Sequence, residues 1–151
     1  MHKAYDRVEW EFLSSMMSKL GFHNEFVNLL TACVQSVKYK VRFNNQETDS
    51  FIPGRGLRQG NPLSPYLFLI CAEGLSSLLA HREEVHGIEG VRVCRNAPSV
   101  SHLLFADDSL ILVKADMTNA TSLRQVLDQC CANSGQLVSE AKCSIYFSPN
   151  I

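Results

Sequence analysis

The N-terminal part of the chain carries apolar side chains at helical spacing. One series repeats every three or four residues and stops at Gly21, a residue suited to the left-handed position just past a helix end. Its members are Val8, Phe12, Leu13, Met16, Met17 and Leu20. A second series begins after Asn24, whose side chain is suited to cap a helix, and continues to about Ser36. The pattern predicts two amphipathic helices ahead of any sheet.

Apolar and basic residues then alternate with period two over Val37 to Phe43, "VKYKVRF". Asn44-Asn45 follows as a turn signal before "TDSFI", so the pattern predicts a hairpin. Lys38, Lys40 and Arg42 occupy one face of its first strand. A solvated strand face explains such a row of charges, and a contact with nucleic acid is the alternative interpretation.

A glycine-rich basic loop, Pro53 to Gly60 ("PGRGLRQG"), connects this hairpin to a long helix. Pro62 and Pro65 suit the first turn of that helix, which "YLFLICAEGLSSLLAHRE" continues. The unpaired N–H groups of a helix N-terminus attract anions such as phosphate. The loop is therefore either a plain junction between loop and helix or an anion-binding segment.

The rest of the chain predicts three further strand regions and one helix. "VRV" favours a short strand, and "HLLFADDSLILV" (His102 to Val113) places Asp107 and Asp108 between two apolar runs short enough for the strands of a second hairpin. Apolar spacing after Asn119 predicts a helix that ends near Gly135, and "SIYF" predicts a closing strand. Together the elements predict an α+β fold with helices on one face of a small antiparallel sheet.

Composition is that of one globular unit. The chain has 151 residues, about the length of one domain, and 46% hydrophobic against 19% charged residues fits neither a disordered chain nor a membrane protein. Its net charge of −1 gives no global positive field, so any nucleic-acid binding must be local. Six cysteines without a C-x-x-C pair, and no visible secretory signal, predict reduced and mostly buried thiols inside the cell.

Two adjacent carboxylates repel each other, and unless a cation lies between them one must take up a proton or turn to water. Asp is common in turns, which is the ordinary explanation for Asp107 and Asp108. However, no Gly or Asn follows the pair to supply the positive φ angles of a two-residue hairpin turn. Mg²⁺ is held by one or two carboxylates plus substrate phosphates, and two such ions can clamp a phosphoryl transfer. The pair thus predicts half of a metal site that needs a third carboxylate.

Four stretches, taken in order, resemble the motifs of a reverse transcriptase palm, and most closely the polymerases of plant LINE-type, non-LTR retrotransposons. They are "KAYDRVEW" (Lys3 to Trp10), "GLRQGNPLSPYLF" (Gly56 to Phe68), "FADD" (Phe105 to Asp108) and "SGQLVSEAKCS" (Ser134 to Ser144). The resemblance covers nearly the whole chain. It implies a polymerase palm-like fold and a partial reverse transcriptase domain over residues 1–151, with fingers and thumb missing.

The resemblance implies that Asp107 and Asp108 are the paired metal-binding aspartates of the palm hairpin, which hold Mg²⁺ or Mn²⁺. Lys142 matches a lysine near the departing pyrophosphate, where an ammonium group neutralises charge or donates a proton. A solvated lysine is the ordinary alternative for Lys142. The implied reaction joins a deoxynucleoside triphosphate (dNTP) to a DNA primer on an RNA template.

The resemblance also implies contacts with the nucleotide and the template. Tyr5 matches the aromatic residue that lies against the sugar and disfavours a 2′-hydroxyl, and Arg58, Gln59 and Gly60 match the loop that packs against nucleotide and template. Residues assigned to nucleic-acid contact are Lys38, Lys40, Arg42 and Arg55. Each has an ordinary alternative as a surface residue.

The chain departs from the family pattern at its start. The resemblance places a third metal-binding aspartate just before Met1, one residue upstream of the chain, and Asp6 does not replace it. Asn61 stands where an aspartate is usual, and Ser139 where an asparagine is usual. We therefore expect a fragment truncated at both ends, with the family activity by descent and no activity of its own.

The alternative is a catalytically inert nucleic-acid-binding remnant of such a polymerase. Either function predicts an intracellular protein of nucleus or cytoplasm without a membrane partner, and neither defines an oligomeric state.

Overall fold

The computed structural model describes residues 3–149. Within them, two separate two-stranded antiparallel sheets lie among five α-helices and one short 3-10 helix, so the predicted α+β class is confirmed. In chain order the elements are α1 (Ala4–Arg7), α2 (Trp10–Lys19), α3 (Asn24–Gln35), β1 (Arg42–Phe43), β2 (Gln46–Glu47), α4 (Ser64–Glu84), β3 (His102–Phe105), β4 (Asp108–Ile111), α5 (Met117–Ser134) and the 3-10 helix Glu140–Lys142. Met1, where the expectation of a missing aspartate falls, lies outside the described residues.

The first predicted helix is α2, but it begins at Trp10, so the expectation that it includes Val8 is wrong. Val8 and Glu9 have extended backbone angles between α1 and α2. The Val8 carbonyl oxygen accepts a hydrogen bond from the Gly56 N–H at 2.8 Å, and the Glu9 N–H donates to the Ser134 carbonyl oxygen at 3.1 Å. Tertiary hydrogen bonds therefore take backbone groups that a continuous helix would use for itself.

The second predicted helix is α3, and its bounds agree with the prediction. Its predicted cap is wrong, because Asn24 is the first helical residue and His23 occupies the cap position without a side-chain hydrogen bond. The His23 carbonyl oxygen instead accepts from the N–H groups of Phe26 and Val27. Gly21 has a φ of 86° and terminates α2 as predicted.

The long helix α4 spans two hydrophobic cores. Its first half packs with α1, α2 and α3 in one cluster, and its second half packs with β3 and α5 in another. Leu67 and Phe68 belong to the first cluster, and Leu75 and Leu79 to the second, each at most 5% exposed. One rigid element therefore joins the two halves of the molecule.

The strands form two hairpins. In the first, β1 pairs with β2, and an isolated bridge joins Tyr39 to Phe51. In the second, β3 pairs with β4 around the aspartate pair, as predicted. Two other strand predictions are wrong: "VRV" makes only a single bridge, from Val91 to Val100, and "SIYF" (144–147) is not a strand.

Cysteine burial also differs from the prediction. Cys33, Cys94 and Cys143 are exposed, whereas Cys71 and Cys130 are buried between α4 and α5. None of the six forms a disulfide within residues 3–149. In the same range, we find no helix with the length and apolarity that a bilayer crossing requires.

Candidate functional site

The aspartate pair lies at the tip of the second hairpin. Phe105 pairs with Asp108, so Ala106 and Asp107 form the two-residue turn and Asp108 opens β4. Both carboxylates are exposed. The turn obtains its positive φ from Ala106, at 51°, a conformation that costs an L-residue about 1–2 kcal/mol. Strained backbone of this kind clusters at functional sites, which makes the turn a candidate.

The base of this hairpin is fastened to α4 by a histidine. His102 Nε2 lies 2.9 Å from Ser76 Oγ on α4, and His102 Nδ1 lies 3.1 Å from Ser101 Oγ. The Leu112 N–H donates to the Ser101 carbonyl oxygen at 2.8 Å, which extends the pairing beyond β4. The position of the aspartate turn is thus set by the helix rather than by a wider sheet.

The first motif is held on one side by the glycine-rich loop. The Leu57 N–H donates to the Tyr5 carbonyl oxygen at 2.8 Å, and Trp10 Nε1 donates to the Gly56 carbonyl oxygen at 2.8 Å. Gly56 has a φ of 91°, and a Cβ there would lie 2.8 Å from the Asp6 carbonyl oxygen. Only glycine fits this approach without displacing the backbone.

The fourth motif holds the same segment from another direction. Arg7 Nε donates to the Gly135 carbonyl oxygen at 2.9 Å, and Gln136 Nε2 donates to the Ala4 carbonyl oxygen at 2.8 Å. Gly135 has a φ of 74°, and its missing side chain leaves room for the Arg7 backbone and for Glu9. The segment from Ala4 to Glu9 is therefore fixed by residues from two distant parts of the chain.

The motifs meet at a small cavity beneath the aspartate turn, which we call the hairpin cavity. Its volume is about 30 Å³, and it is lined by Phe68 of the second motif, by Ala106 of the third and by Gln136 of the fourth, with Ser109 and Leu104 from the hairpin strands. The first motif reaches it through Tyr5, whose ring stacks on Phe68 with centroids 4.7 Å apart. Residues up to 68 positions apart thus line one cavity.

Two carboxylates, those of Asp107 and Asp108, lie at the turn. Within residues 3–149, we find no group of three or more His, Cys, Asp or Glu side chains arranged for a metal. Mg²⁺ typically takes one or two carboxylates and completes its shell with water and substrate phosphates, so Asp107 and Asp108 fit this ion as a partial donor set.

The residues predicted to contact nucleotide fall in different places. Tyr5 is half-buried beside the hairpin cavity, whereas Arg58 and Gln59 line a separate groove, and Gln59 Nε2 lies 3.4 Å from Asp6 Oδ1. Gly60 is exposed with a φ of 81°. Lys142 is exposed in the 3-10 helix.

Two of the predicted nucleic-acid residues are paired. Lys40 Nζ lies 3.2 Å from Glu47 Oε2, and Arg55 Nη1 lies 3.1 Å from Glu9 Oε1. Lys38 and Arg42 are exposed, as predicted. Partly exposed ion pairs contribute little stability, so these cations remain accessible to phosphate.

Sequence reasoning missed three residues that organise the site: Phe68, Glu9 and Gln136. All three stand inside quoted motifs, and a polar residue directly after a helix-terminating glycine was the available signal for Gln136. Asn61 is also explained, because its Oδ1 accepts from the Leu63 N–H at 3.0 Å as a carboxylate would.

A family model described as reverse transcriptase (RNA-dependent DNA polymerase) matches residues 1–150. The chain belongs to the reverse transcriptase family. Curated relatives agree with this assignment. The chain is 29% identical over 142 residues to the uncharacterized 149 kDa protein of transposon TX1 from Xenopus laevis, covering 94% of this chain and 10% of the relative. It is 30% identical over 127 residues to a Pol polyprotein of the retrotransposable element R2 from Popillia japonica, covering 83% and 17%.

A plant relative matches a shorter stretch. This uncharacterized mitochondrial protein of Arabidopsis thaliana is 56% identical over 57 residues, which are 38% of this chain and 47% of the relative. The reverse transcriptase chain therefore spans about half the length of the plant protein and a tenth to a fifth of the transposon proteins. The family is that of non-LTR retrotransposon polymerases, whose members generally use divalent metal ions and act on nucleic-acid template, primer and dNTP.

Proposed function

We propose that this chain is the palm segment of an RNA-directed DNA polymerase, with Asp107 and Asp108 as its metal-binding residues. The observation that supports the proposal is the hairpin cavity, which three of the family motifs line beneath the aspartate turn and which the first motif approaches through the stacking of Tyr5 on Phe68. Four motifs could match a family by sequence and still lie apart in space. Their convergence supports a common chemical purpose.

In this proposal Asp107 and Asp108 would hold Mg²⁺ or Mn²⁺, and the ion would offset negative charge on the triphosphate and favour deprotonation of the attacking primer hydroxyl. Tyr5 lies against the sugar of the incoming nucleotide, and its stacking on Phe68 fixes the ring in place. The loop residues Arg58, Gln59 and Gly60 lie along nucleotide and template. The RNA template, the DNA primer and the dNTP are thus the proposed partners, and an intracellular site in nucleus or cytoplasm follows from them.

Lys142 is assigned to the pyrophosphate side, where its ammonium group donates a proton or balances charge as the leaving group departs. Its exposed position on a short 3-10 helix leaves the four-carbon side chain room to reach a bound triphosphate. Lys142 would take this role only when nucleotide is bound.

Residues 1–151 by themselves are proposed to lack polymerase activity, because the site they supply contains two carboxylates. The loss of a metal-bridging carboxylate raises the barrier by several kcal/mol, or about a thousandfold or more in rate. A primer-extension assay tests this point, and Mg²⁺-dependent incorporation that disappears in Asp107→Asn would contradict the proposed inactivity while supporting the metal site.

Mn²⁺ titration followed by NMR tests the metal site without requiring activity. We expect paramagnetic broadening to begin at Ala106, Asp107 and Asp108, and to weaken in Asp108→Asn. Asp128→Asn is the matched control, because Asp128 is an exposed carboxylate on α5. A longer chain with an aspartate directly before Met1 should bind Mn²⁺ at least about tenfold more tightly. Equal affinity with and without that aspartate would refute the site assignment.

A second candidate is a nucleic-acid-binding remnant without catalysis. Five basic and two acidic residues lie between Val37 and Gly60, in a chain whose net charge is −1. RNA binding that weakens steeply with added salt, together with absent primer extension, would favour this candidate.

A further inference from the structure

A groove of about 580 Å³ lies beside the glycine-rich loop, and it is distinct from the hairpin cavity. We call it the aromatic groove. Its lining includes two aromatic, two basic and two other polar side chains, those of Tyr39, Phe51, Arg55, Arg58, Asp6 and Gln59. Its volume is in the range of sites that bind small organic ligands.

One wall of the aromatic groove is a pair of rings on a fixed backbone. Tyr39 and Phe51 stack with centroids 6.0 Å apart and an angle of 27° between their planes. Each residue donates its N–H to the other's carbonyl oxygen at 2.9 Å, so the two backbones form a reciprocally bonded pair. Phe51 is nevertheless 49% exposed. A rigidly held aromatic ring therefore presents an open face to the groove.

The bend of the first hairpin keeps this pair beside the loop. The Thr48 N–H donates to the Val41 carbonyl oxygen, and Tyr39 pairs with Phe51 further along the hairpin. From Val41 to Tyr39 is two positions, but from Thr48 to Phe51 is three, so the second strand carries one extra residue. Such a bulge increases local twist and redirects side chains. The rings thereby line the groove together with Arg58, although they lie on a different segment.

Two arginine side chains, Arg55 and Arg58, line the aromatic groove together with the rings. Arg55 is paired with Glu9, and Arg58 is exposed. Across the groove floor, Gln59 Nε2 lies 3.4 Å from Asp6 Oδ1, so amide and carboxylate groups stand ready to contact polar atoms of a ligand. The groove thus combines an aromatic face, a guanidinium group and hydrogen-bonding side chains.

We propose that the aromatic groove binds one unpaired nucleotide of a single-stranded RNA, with its base stacked on Phe51 and its phosphate beside Arg58. Aromatic rings with basic side chains are the usual means by which proteins bind single strands without sequence preference. The inference rests on the proposed function and deepens it, because it gives the unpaired template strand a specific base-binding residue. The polar edge of the base faces Asp6 and Gln59.

Fluorescence anisotropy with a short fluorescein-labelled oligouridylate tests the proposal on the whole chain. Phe51→Leu is expected to weaken binding roughly 5- to 150-fold, as loss of one stacked base does. Phe51→Trp should bind within about twofold of the unsubstituted chain, because the ring is retained. Phe43→Leu is the matched control, since Phe43 is a 73% exposed aromatic residue on the same hairpin that does not line the groove.

Salt dependence separates stacking from a general loss of structure. Phe51→Leu should leave the slope of log affinity against log salt unchanged, whereas Arg58→Gln should reduce it by about one. Equal weakening by Phe51→Leu and Phe43→Leu, or by Phe51→Leu and Phe51→Trp, would overturn the proposal.

Two other outcomes also overturn it. An unsubstituted chain that does not bind oligouridylate refutes the groove site, while Mn²⁺ broadening at Asp108 still tests the proposed polymerase site independently. Sedimentation that shows self-association, lost in Phe51→Leu, would identify the ring pair as a protein contact instead.

Discussion

Tyr5 and Phe68 stack with ring centroids 4.7 Å apart and an angle of 15° between their planes. The pair joins the first motif to α4, and Phe68 also lines the hairpin cavity below Ala106. A contact between two residues that are 63 positions apart therefore links the first motif to the surroundings of the aspartate turn.

Phe68→Ala should lower the free energy of unfolding by about 3–5 kcal/mol, because a buried ring is replaced by an enlarged cavity. Phe68 is 5% exposed, whereas Tyr66 on the same helix is 67% exposed. Tyr66→Ala is the control and should change stability by no more than about 0.5 kcal/mol. Urea unfolding measures both, and equal losses would show that the stacked ring has no special place in the core.

Gly135→Ala should destabilise the chain more than Gly21→Ala. Both glycines have positive φ angles, so both substitutions carry backbone strain. A Cβ at Gly135 would also lie 2.6 Å from the Arg7 carbonyl oxygen, while a Cβ at Gly21 meets nothing within 4 Å. We expect the difference to be at least about 1 kcal/mol in urea unfolding. Equal effects would mean that the first motif does not depend on this close approach.

Ala106→Gly should stabilise the chain by about 0.5–1 kcal/mol, because relief of the positive φ outweighs the added freedom of the unfolded state. Ala115→Gly serves as a control, since Ala115 is exposed and its φ is not positive, and it should be neutral or destabilising. Thermal unfolding of the two variants decides the point. Destabilisation by Ala106→Gly would contradict the strain assigned to the aspartate turn.

Stability should fall in alkaline solution because of a buried thiol. Burial, reinforced by neighbouring Cys130, raises the pKa of Cys71 from 9.0 to about 12. The unfolded state then loses this proton first, so the stability contribution is complete below pH 9.0 and is lost as pH rises towards about 12. In Cys71→Ala, the decline of unfolding free energy from pH 8 to about 10.5 should be smaller than in the unsubstituted chain.

Cys94→Ala provides the comparison for this experiment, because Cys94 is exposed. Its pH dependence should match that of the unsubstituted chain. If Cys71→Ala shows the same alkaline decline as Cys94→Ala, another group must be responsible.

Local features of the fold could be predicted because their causes are local. Gly21 and Gly135 end their helices where apolar spacing stops, and the hairpin around Asp107 and Asp108 follows from two short apolar runs. The separation of α1 from α2 at Val8 and Glu9 could not be predicted, because Gly56 and Ser134 supply the deciding hydrogen bonds from distant positions. "SIYF" has strand-forming residues, but within residues 3–149 no neighbouring strand pairs with it.

The candidate site shows the same division. Motif order made the aspartate turn and Tyr5 candidates, but not Phe68 or Gln136, since nothing in one sequence reports which side chains meet across a cavity. The ion pair of Arg55 with Glu9 was equally invisible, because 46 positions separate the two residues. Residues within one motif could be proposed from the sequence, whereas contacts between residues from distant parts of the chain could not.

The hydrogen bond from Arg7 to Gly135 spans 128 positions and bears on how the protein is made. During synthesis from the N-terminus, the segment that carries Tyr5 leaves the ribosome long before its hydrogen-bond partners Gly135 and Gln136 do. Until then α1 lacks its hydrogen bonds with Gly135 and Gln136. Closing so long a loop is entropically costly before its contacts exist. The aspartate turn and its surroundings should consequently be the last part to mature.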